Sequence, residues 1–161
     1  MAVTAKICGV STPEAVRTAL DGGAGYLGFV FFEKSPRRLA LEAAARLAEP
    51  ARGRARTVAL VVDPTDAVVD EIARVLKPDL IQLHGKESPA RVREVAARAG
   101  AGAIKALPVA DVSDLDAAHA YEPVVEHLMF DAKPPNGADR PGGLGGAFDW
   151  TPVSYTHLRA H

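Results

Sequence analysis

The fold of this chain is decided by two neighbouring segments near the N-terminus, Lys6-Ile7-Cys8-Gly9 and Ser11-Thr12-Pro13-Glu14. The first segment predicts a short strand that ends in a turn, and the second has the spacing of a capping box with a proline near the first turn of a helix. Cys8, the only cysteine, therefore lies at the carboxyl end of a predicted strand, where βα enzymes place catalytic side chains. A solitary cysteine is more often a small buried hydrophobe, so this position gains meaning only from other strand ends.

The same alternation of strand and helix repeats along the chain. Helical starts are predicted at Asp63-Pro64-Thr65 and Ser88-Pro89, and helical ends at Gly22-Gly23 and Gly100. Strands are predicted at 5–8, 26–31, 57–62, 80–83, 103–107 and 127–131. Strands that alternate with helices indicate βα units and a parallel sheet.

Composition sets limits on partners and compartment. The 161 residues carry a net charge of -1, which gives no general attraction to nucleic acid or to anionic membranes. No apolar run approaches the roughly 20 residues that span a bilayer, and the N-terminus lacks the pattern of a secretory signal. One cysteine cannot form an internal disulfide. We therefore expect a cytoplasmic protein with no nucleic-acid or membrane partner.

Further motifs lie at the ends of the predicted strands. Phe29-Val30-Phe31 is followed by Ser35-Pro36-Arg37, Gln82-Leu83-His84-Gly85 closes the fourth strand, Phe130-Asp131 closes the sixth, and Gly142-Gly143-Leu144-Gly145-Gly146 precedes Phe148-Asp149-Trp150. Together with Cys8, these motifs resemble the phosphoribosylanthranilate isomerase family, (βα)8-barrel enzymes of tryptophan biosynthesis. The resemblance runs from about residue 5 to residue 150, in the family's order and spacing.

The resemblance implies an α/β fold of the TIM (βα)8-barrel type with only about six βα units present, an incomplete barrel. Residues 1–150 are predicted to form this domain, and residues 151–161 a divergent or non-native tail without a clear helical stripe. The first and sixth strands would each have one unpaired edge, which predicts self-association through those edges.

The family reaction is an Amadori rearrangement of N-(5'-phosphoribosyl)anthranilate to 1-(2-carboxyphenylamino)-1-deoxyribulose 5-phosphate. The resemblance implies that Asp131 is the general acid at the ring oxygen and Cys8 the general base at C2'. Lys6 is two residues from Cys8 on the same strand face, so it is a candidate cation beside the thiol. Arg37 would bind the anthranilate carboxylate, whereas Arg38 is interpreted as a solvated charge.

The remaining site residues are predicted with their roles left open. Gln82 and His84 share one strand face, and spacing does not decide which of them lines the pocket. The resemblance implies substrate contacts for both, with a structural histidine as the alternative. The backbone amides of Gly142, Gly143 and Gly145 are candidates for binding the substrate phosphate. No metal site and no cofactor are predicted.

An alternative function remains open at this point. The loops after a seventh and an eighth strand often build the main phosphate site of such barrels, and no segment here corresponds to them. The chain could therefore be a catalytically inactive barrel fragment that only binds ligand weakly or associates with another chain.

Overall fold

The computed structural model describes residues 3–133 and residue 137. The described strands are β1 (Lys6–Cys8), β2 (Tyr26–Val30), β3 (Arg56–Val61), β4 (Leu80–Leu83), β5 (Gly102–Val109) and β6 (His127–Ala132). The α-helices are α1 (Pro13–Asp21), α2 (Leu41–Ala48), α3 (Asp66–Val75), α4 (Pro89–Ala99) and α5 (Ala118–Tyr121), with 3-10 turns at Glu49–Ala51, Val112–Ala117 and Glu122–Val124. The predicted glycine loop and the predicted tail 151–161 lie outside the described residues.

The strands form one parallel sheet in the order β1-β2-β3-β4-β5-β6. Cys8 pairs with Gly28, and Leu60 pairs with Gln82, so the carboxyl ends of the strands meet along one edge. All six predicted strands are confirmed with their ends within two residues. Among the described residues β1 and β6 each have a single neighbour, as expected for an incomplete barrel.

The sheet separates a large outer core from a small inner one. On β2 and β4, Leu27, Phe29, Ile81 and Leu83 point outward into the core beneath the helices, and each is fully buried. Burying a side chain of this size contributes about 1.5–3 kcal/mol. The inner face instead gathers Val58, Leu80 and Ile104, with Tyr26 and Met129 packed against them. This period-two alternation places Cys8, Gln82 and His84 on the face that curls around the interior.

Helix α1 corrects one detail of the sequence prediction. The spacing of Ser11 and Glu14 predicts a capping box, but the N-cap is Thr12, whose Oγ1 accepts the N–H of Ala15 at 3.1 Å. Pro13 takes the first helical position and keeps Thr12 extended, at φ -134° and ψ 152°. Thr65 and Ser88 cap α3 and α4 in the same way, and Gly100 ends α4 in the left-handed conformation.

A polar cluster occupies the amino ends of the strands. The guanidinium of Arg56 donates to both carboxylate oxygens of Glu126, and it lies 5.9 Å from the centroid of the Tyr26 ring. These residues begin β2 and β3 and immediately precede β6. The cluster therefore ties the sixth strand back to the second and third, which curls the sheet.

Candidate active site

The carboxyl ends of the strands surround a cavity of about 420 Å³. Both edge strands contribute to it, Cys8 from β1 and Asp131 from β6, so the curl of the sheet brings its two ends to one space. The polar lining is Lys6, Cys8, Ser35, Arg37, Gln82, His84 and Asp131, and the apolar lining is Val30, Phe32, Pro36, Leu60, Val62, Met129 and Phe130.

Cys8 is partly exposed to this cavity beside a gap left by Gly28 on β2. A Cβ at position 28 would lie 3.1 Å from Cys8 Sγ and 3.3 Å from Lys6 Nζ. The sulfur and the ammonium group therefore both border the space above Gly28. This places Lys6 near the thiol, where the sequence predicts a cation.

Arg37 reaches the same place from the loop after β2. Its Nη1 donates to the backbone carbonyl oxygen of Cys8 at 2.8 Å. The neighbouring Gly9 has φ +78°, and a Cβ there would lie 2.7 Å from the Arg37 side chain, so glycine permits the approach. The neighbouring Arg38 has a side chain that is 53% exposed and pairs with Glu33, as expected for a solvated charge.

Asp131, His84 and Gln82 form a chain of polar contacts across the cavity. His84 Nε2 lies 3.3 Å from Asp131 Oδ2, and Gln82 Nε2 lies 3.4 Å from His84 Nδ1. An amide that donates to Nδ1 requires the neutral ring to carry its proton on Nε2, which then donates to the carboxylate. The other oxygen of Asp131 accepts the N–H of Ala132 at 2.9 Å.

Burial lowers the pKa of His84 below its ordinary 6.5, and the neighbouring Asp131 carboxylate only partly opposes this shift. The ring is therefore neutral near neutral pH. Gln82 is fully buried, and its Oε1 has no hydrogen-bond partner among the described residues. The amide therefore lies within the wall of the cavity, where its Nε2 contacts the His84 ring.

The structure brings five of the predicted site residues to one cavity: Cys8, Arg37, Gln82, His84 and Asp131. Gly142, Gly143 and Gly145 lie outside the described residues, so their role stays a prediction. Sequence reasoning missed the apolar contributions of Phe32 and Met129. Alternation on β6 was a usable signal for Met129, because it lies two residues before Asp131.

The described part of the chain gives two further observations. Across residues 3–133 no group of three His, Cys, Asp or Glu side chains is arranged to hold a metal ion. None of the helices described over this range combines the length and the apolar character that a membrane crossing requires.

A curled parallel sheet that gathers thiol, carboxylate, imidazole and guanidinium side chains at its carboxyl edge is the arrangement of a βα-barrel enzyme. The family model of N-(5'-phosphoribosyl)anthranilate (PRA) isomerase matches residues 5–160, and the chain belongs to this family. The isomerase predicted from the sequence motifs is thereby confirmed.

Relatives in several bacteria carry the same family name. The N-(5'-phosphoribosyl)anthranilate isomerase of Caulobacter vibrioides is 60% identical over 147 residues, which cover 91% of this chain and 67% of the relative. That of Mesorhizobium japonicum is 50% identical over 150 residues, covering 93% of this chain and 68% of the relative. The chain thus spans about two thirds of the length of these relatives.

Solved structures of the family share the fold. The phosphoribosylanthranilate isomerase of Thermotoga maritima has a TM-score of 0.81 at 30% identity, covering 94% of this chain and 70% of that one. A family member in complex with reduced 1-(o-carboxyphenylamino)-1-deoxyribulose 5-phosphate has a TM-score of 0.75 at 28% identity, covering 81% of this chain and 66% of that one. The predicted incomplete TIM-barrel type is confirmed by this similarity.

Proposed function

We propose that this chain catalyses the Amadori rearrangement of N-(5'-phosphoribosyl)anthranilate with Asp131 as general acid and Cys8 as general base. The observation that carries the proposal is the shared cavity, which is lined by Cys8 from one edge of the sheet and by Asp131 from the other. The reaction moves protons within one molecule, and an acid and a base on opposite walls suit that task.

The acid step opens the ribose ring. A proton passes from Asp131 to the ring oxygen, the bond between that oxygen and C1' breaks, and the anilino nitrogen forms a double bond with C1'. His84 supports this step because its ring, neutral through burial, contacts the carboxylate that is left behind. An Nε2–H donated to Asp131 stabilises the ionised product of the transfer.

The base step completes the isomerisation. The thiolate of Cys8 removes the proton from C2', which gives an enolamine. The Cys8 thiol then returns a proton to C1', and the enol O–H gives its proton to the Asp131 carboxylate, so the ketone forms and both residues return to their starting states. No atom is gained or lost overall. The space above Gly28 gives the sulfur access to the substrate, and the Lys6 ammonium borders the same space.

Arg37 supports the proposal on the anthranilate side. One of its nitrogens binds the Cys8 carbonyl, and the guanidinium has further N–H groups for a carboxylate. Arg37 would thus bind the anthranilate carboxylate of the substrate and, at the same time, the end of β1 that carries Cys8. Gln82 contributes through its contact with the His84 ring, and we assign the phosphate to the backbone amides of Gly142, Gly143 and Gly145.

Turnover of the purified chain tests the proposal directly. The fluorescence of phosphoribosylanthranilate, generated in situ, should decay in the presence of the chain and should persist with Cys8→Ala or Asp131→Asn. Loss of a general acid or base typically costs about 10²–10⁴-fold in rate. Arg38→Gln, a change in an exposed side chain, is the matched control and should retain activity. A folded chain without turnover, or variants as active as the parent, would refute the assignment.

We also propose that two copies associate through β1 and β6 and that the enzyme works in the cytoplasm. Each of these strands has one unpaired edge among the described residues, and such edges attract further pairing. Sedimentation should then give a dimer or a larger assembly. A monomer with one sharp unfolding transition would contradict the association.

A further inference from the structure

Lys105 and Glu87 form a buried ion pair outside the cavity. Lys105 Nζ lies 2.8 Å from Glu87 Oε2, and the two side chains are 2% and 1% exposed. Neither residue lines the cavity at the carboxyl ends of the strands. Taking both charges out of water costs as much as their attraction returns, so such a pair is weak evidence of a purely stabilising role.

The lysine holds the backbone on both sides of His84. Its Nζ donates to the carbonyl oxygen of Leu83 at 3.3 Å and to that of Gly85 at 2.7 Å. His84 is the residue between these two carbonyls, and its own N–H donates to the oxygen of Val61 at 3.0 Å. The position of the His84 ring therefore depends on where the ammonium group sits.

The glutamate fixes the same turn from the other side. Glu87 Oε1 accepts the N–H of Asp63 at 2.8 Å, and Oε2 accepts the N–H of Gly85 at 3.0 Å. Its own backbone oxygen accepts the hydroxyl of Tyr121 at 2.9 Å. The pair thus joins the loops after β3 and β4 to β5 and α5. Apart from the ion pair itself, the side-chain hydrogen bonds of the two residues go to the backbone of Asp63, Leu83 and Gly85.

We propose that Lys105 and Glu87 are positioning residues, which act through the backbone of Leu83 and Gly85 to hold His84 against Asp131. The inference rests on the proposed role of Asp131 as the acid, and it adds two residues that do not touch the cavity. A shift of about 1 Å at a catalytic contact can cost 10²-fold in rate. On this proposal the pair serves to position the general acid, and the free-energy cost of burying two charges does not have to be offset by greater stability of the core.

The pair can be removed without leaving an unpaired charge. Lys105→Met with Glu87→Gln keeps both side chains similar in volume, and the amide oxygen introduced at position 87 still accepts one N–H. Burial lowers the pKa of His84 and Asp131 raises it. Of the buried pair, the charge of Lys105 lowers this pKa further and the charge of Glu87 raises it. Because these two charges oppose each other, removing both changes the geometry at His84 more than the electrostatic potential there.

The experiment compares the double variant with a matched surface pair, Arg54→Gln with Asp21→Asn, whose ion pair is exposed and does not line the cavity. The readouts are kcat, KM and the nitrogen NMR shifts of the His84 ring, which report its tautomer. We expect the double variant to lose about tenfold or more in kcat with KM within about twofold. Its His84 ring should change from one tautomer to an average of both, while the surface variant matches the parent.

Two results would overturn the proposal. The first is a double variant whose His84 shifts and kcat equal those of the parent. The second comes from hydrogen exchange of the parent alone and needs no folded variant. If the pair holds this turn, the amides of Asp63 and Gly85 should exchange with solvent about a hundredfold slower than an exposed loop amide. Rapid exchange at both would show that the pair does not hold this turn. The NMR readouts do not need turnover, so failure of the proposed activity is distinguishable from failure of the positioning role.

Discussion

Tyr26 Oη lies 3.2 Å from His127 Nε2, although the two residues are 101 positions apart in the sequence. Tyr26 begins β2 and His127 begins β6, and their rings meet edge to face with centroids 5.8 Å apart. This contact spans the interior of the curled sheet at the end opposite the cavity. It sets how closely β6 approaches β2, and therefore how close Asp131 can come to Cys8.

Tyr26→Phe removes this hydrogen bond and keeps the ring. We expect a loss of about 0.5–1.5 kcal/mol in the free energy of unfolding, the usual net contribution of one intramolecular hydrogen bond. Urea unfolding of the parent and the variant measures it. An unchanged midpoint and slope would show that the contact does not hold the sheet closed.

His84 should make the stability of the chain dependent on pH. Its pKa is lower in the folded chain than its ordinary 6.5, chiefly through burial, so the unfolded chain binds more protons as the pH falls below that value. The stabilisation is complete above pH 6.5 and is lost as the pH falls through the folded pKa. Urea midpoints measured between about pH 7.5 and pH 5.5 should fall in the parent and fall less in His84→Gln. Equal slopes for the two chains would contradict the buried neutral ring.

Arg37→Lys tests whether the planar guanidinium group, and not only its positive charge, is needed for substrate binding. A lysine keeps the charge but cannot bind the Cys8 carbonyl and a carboxylate with one rigid group. We expect KM to rise by roughly tenfold, the effect of losing one charge-assisted hydrogen bond. Steady-state kinetics measure it, with Arg38→Lys as the control. A KM equal to that of the parent would remove Arg37 from substrate binding.

A side chain at position 85 should be destabilising because it would meet the Asp63 carboxylate. A Cβ at this position would lie 2.5 Å from Asp63 Oδ1, and that oxygen already accepts the N–H of Lys86 at 2.7 Å. Gly85→Ala should cost about 1–3 kcal/mol by overpacking. Adding Asp63→Ala should recover part of that loss in a double-mutant cycle. Strictly additive losses would argue against a clash between these two residues.

The strands could be predicted from the sequence because each is a short, largely apolar run that ends in, or is followed within two residues by, glycine, proline or a carboxylate. It also predicted Cys8, Arg37 and Asp131 by family motif, and the structure brings these residues to one cavity. Local spacing misplaced the cap of α1, since Pro13 shifts the cap from Ser11 to Thr12.

The buried pair could not be predicted in the same way. Lys105 interrupts the apolar run from Ala103 to Leu107, which is a signal that something unusual is buried there. Its partner Glu87 lies in a turn 18 residues earlier, and nothing in the spacing links the two. Side-chain pairing of this kind depends on how a helix and a loop pack against the sheet, and only the folded chain reveals it.

A crystal structure of the chain with reduced 1-(o-carboxyphenylamino)-1-deoxyribulose 5-phosphate, the compound found in a relative of known structure, tests the central claim most directly. We expect the ligand in the cavity, with its carboxylate on Arg37 and with Cys8 Sγ and the Asp131 carboxylate against opposite sides of the sugar chain. A ligand bound at saturating concentration away from Cys8 and Asp131 would contradict the assignment of the base and the acid.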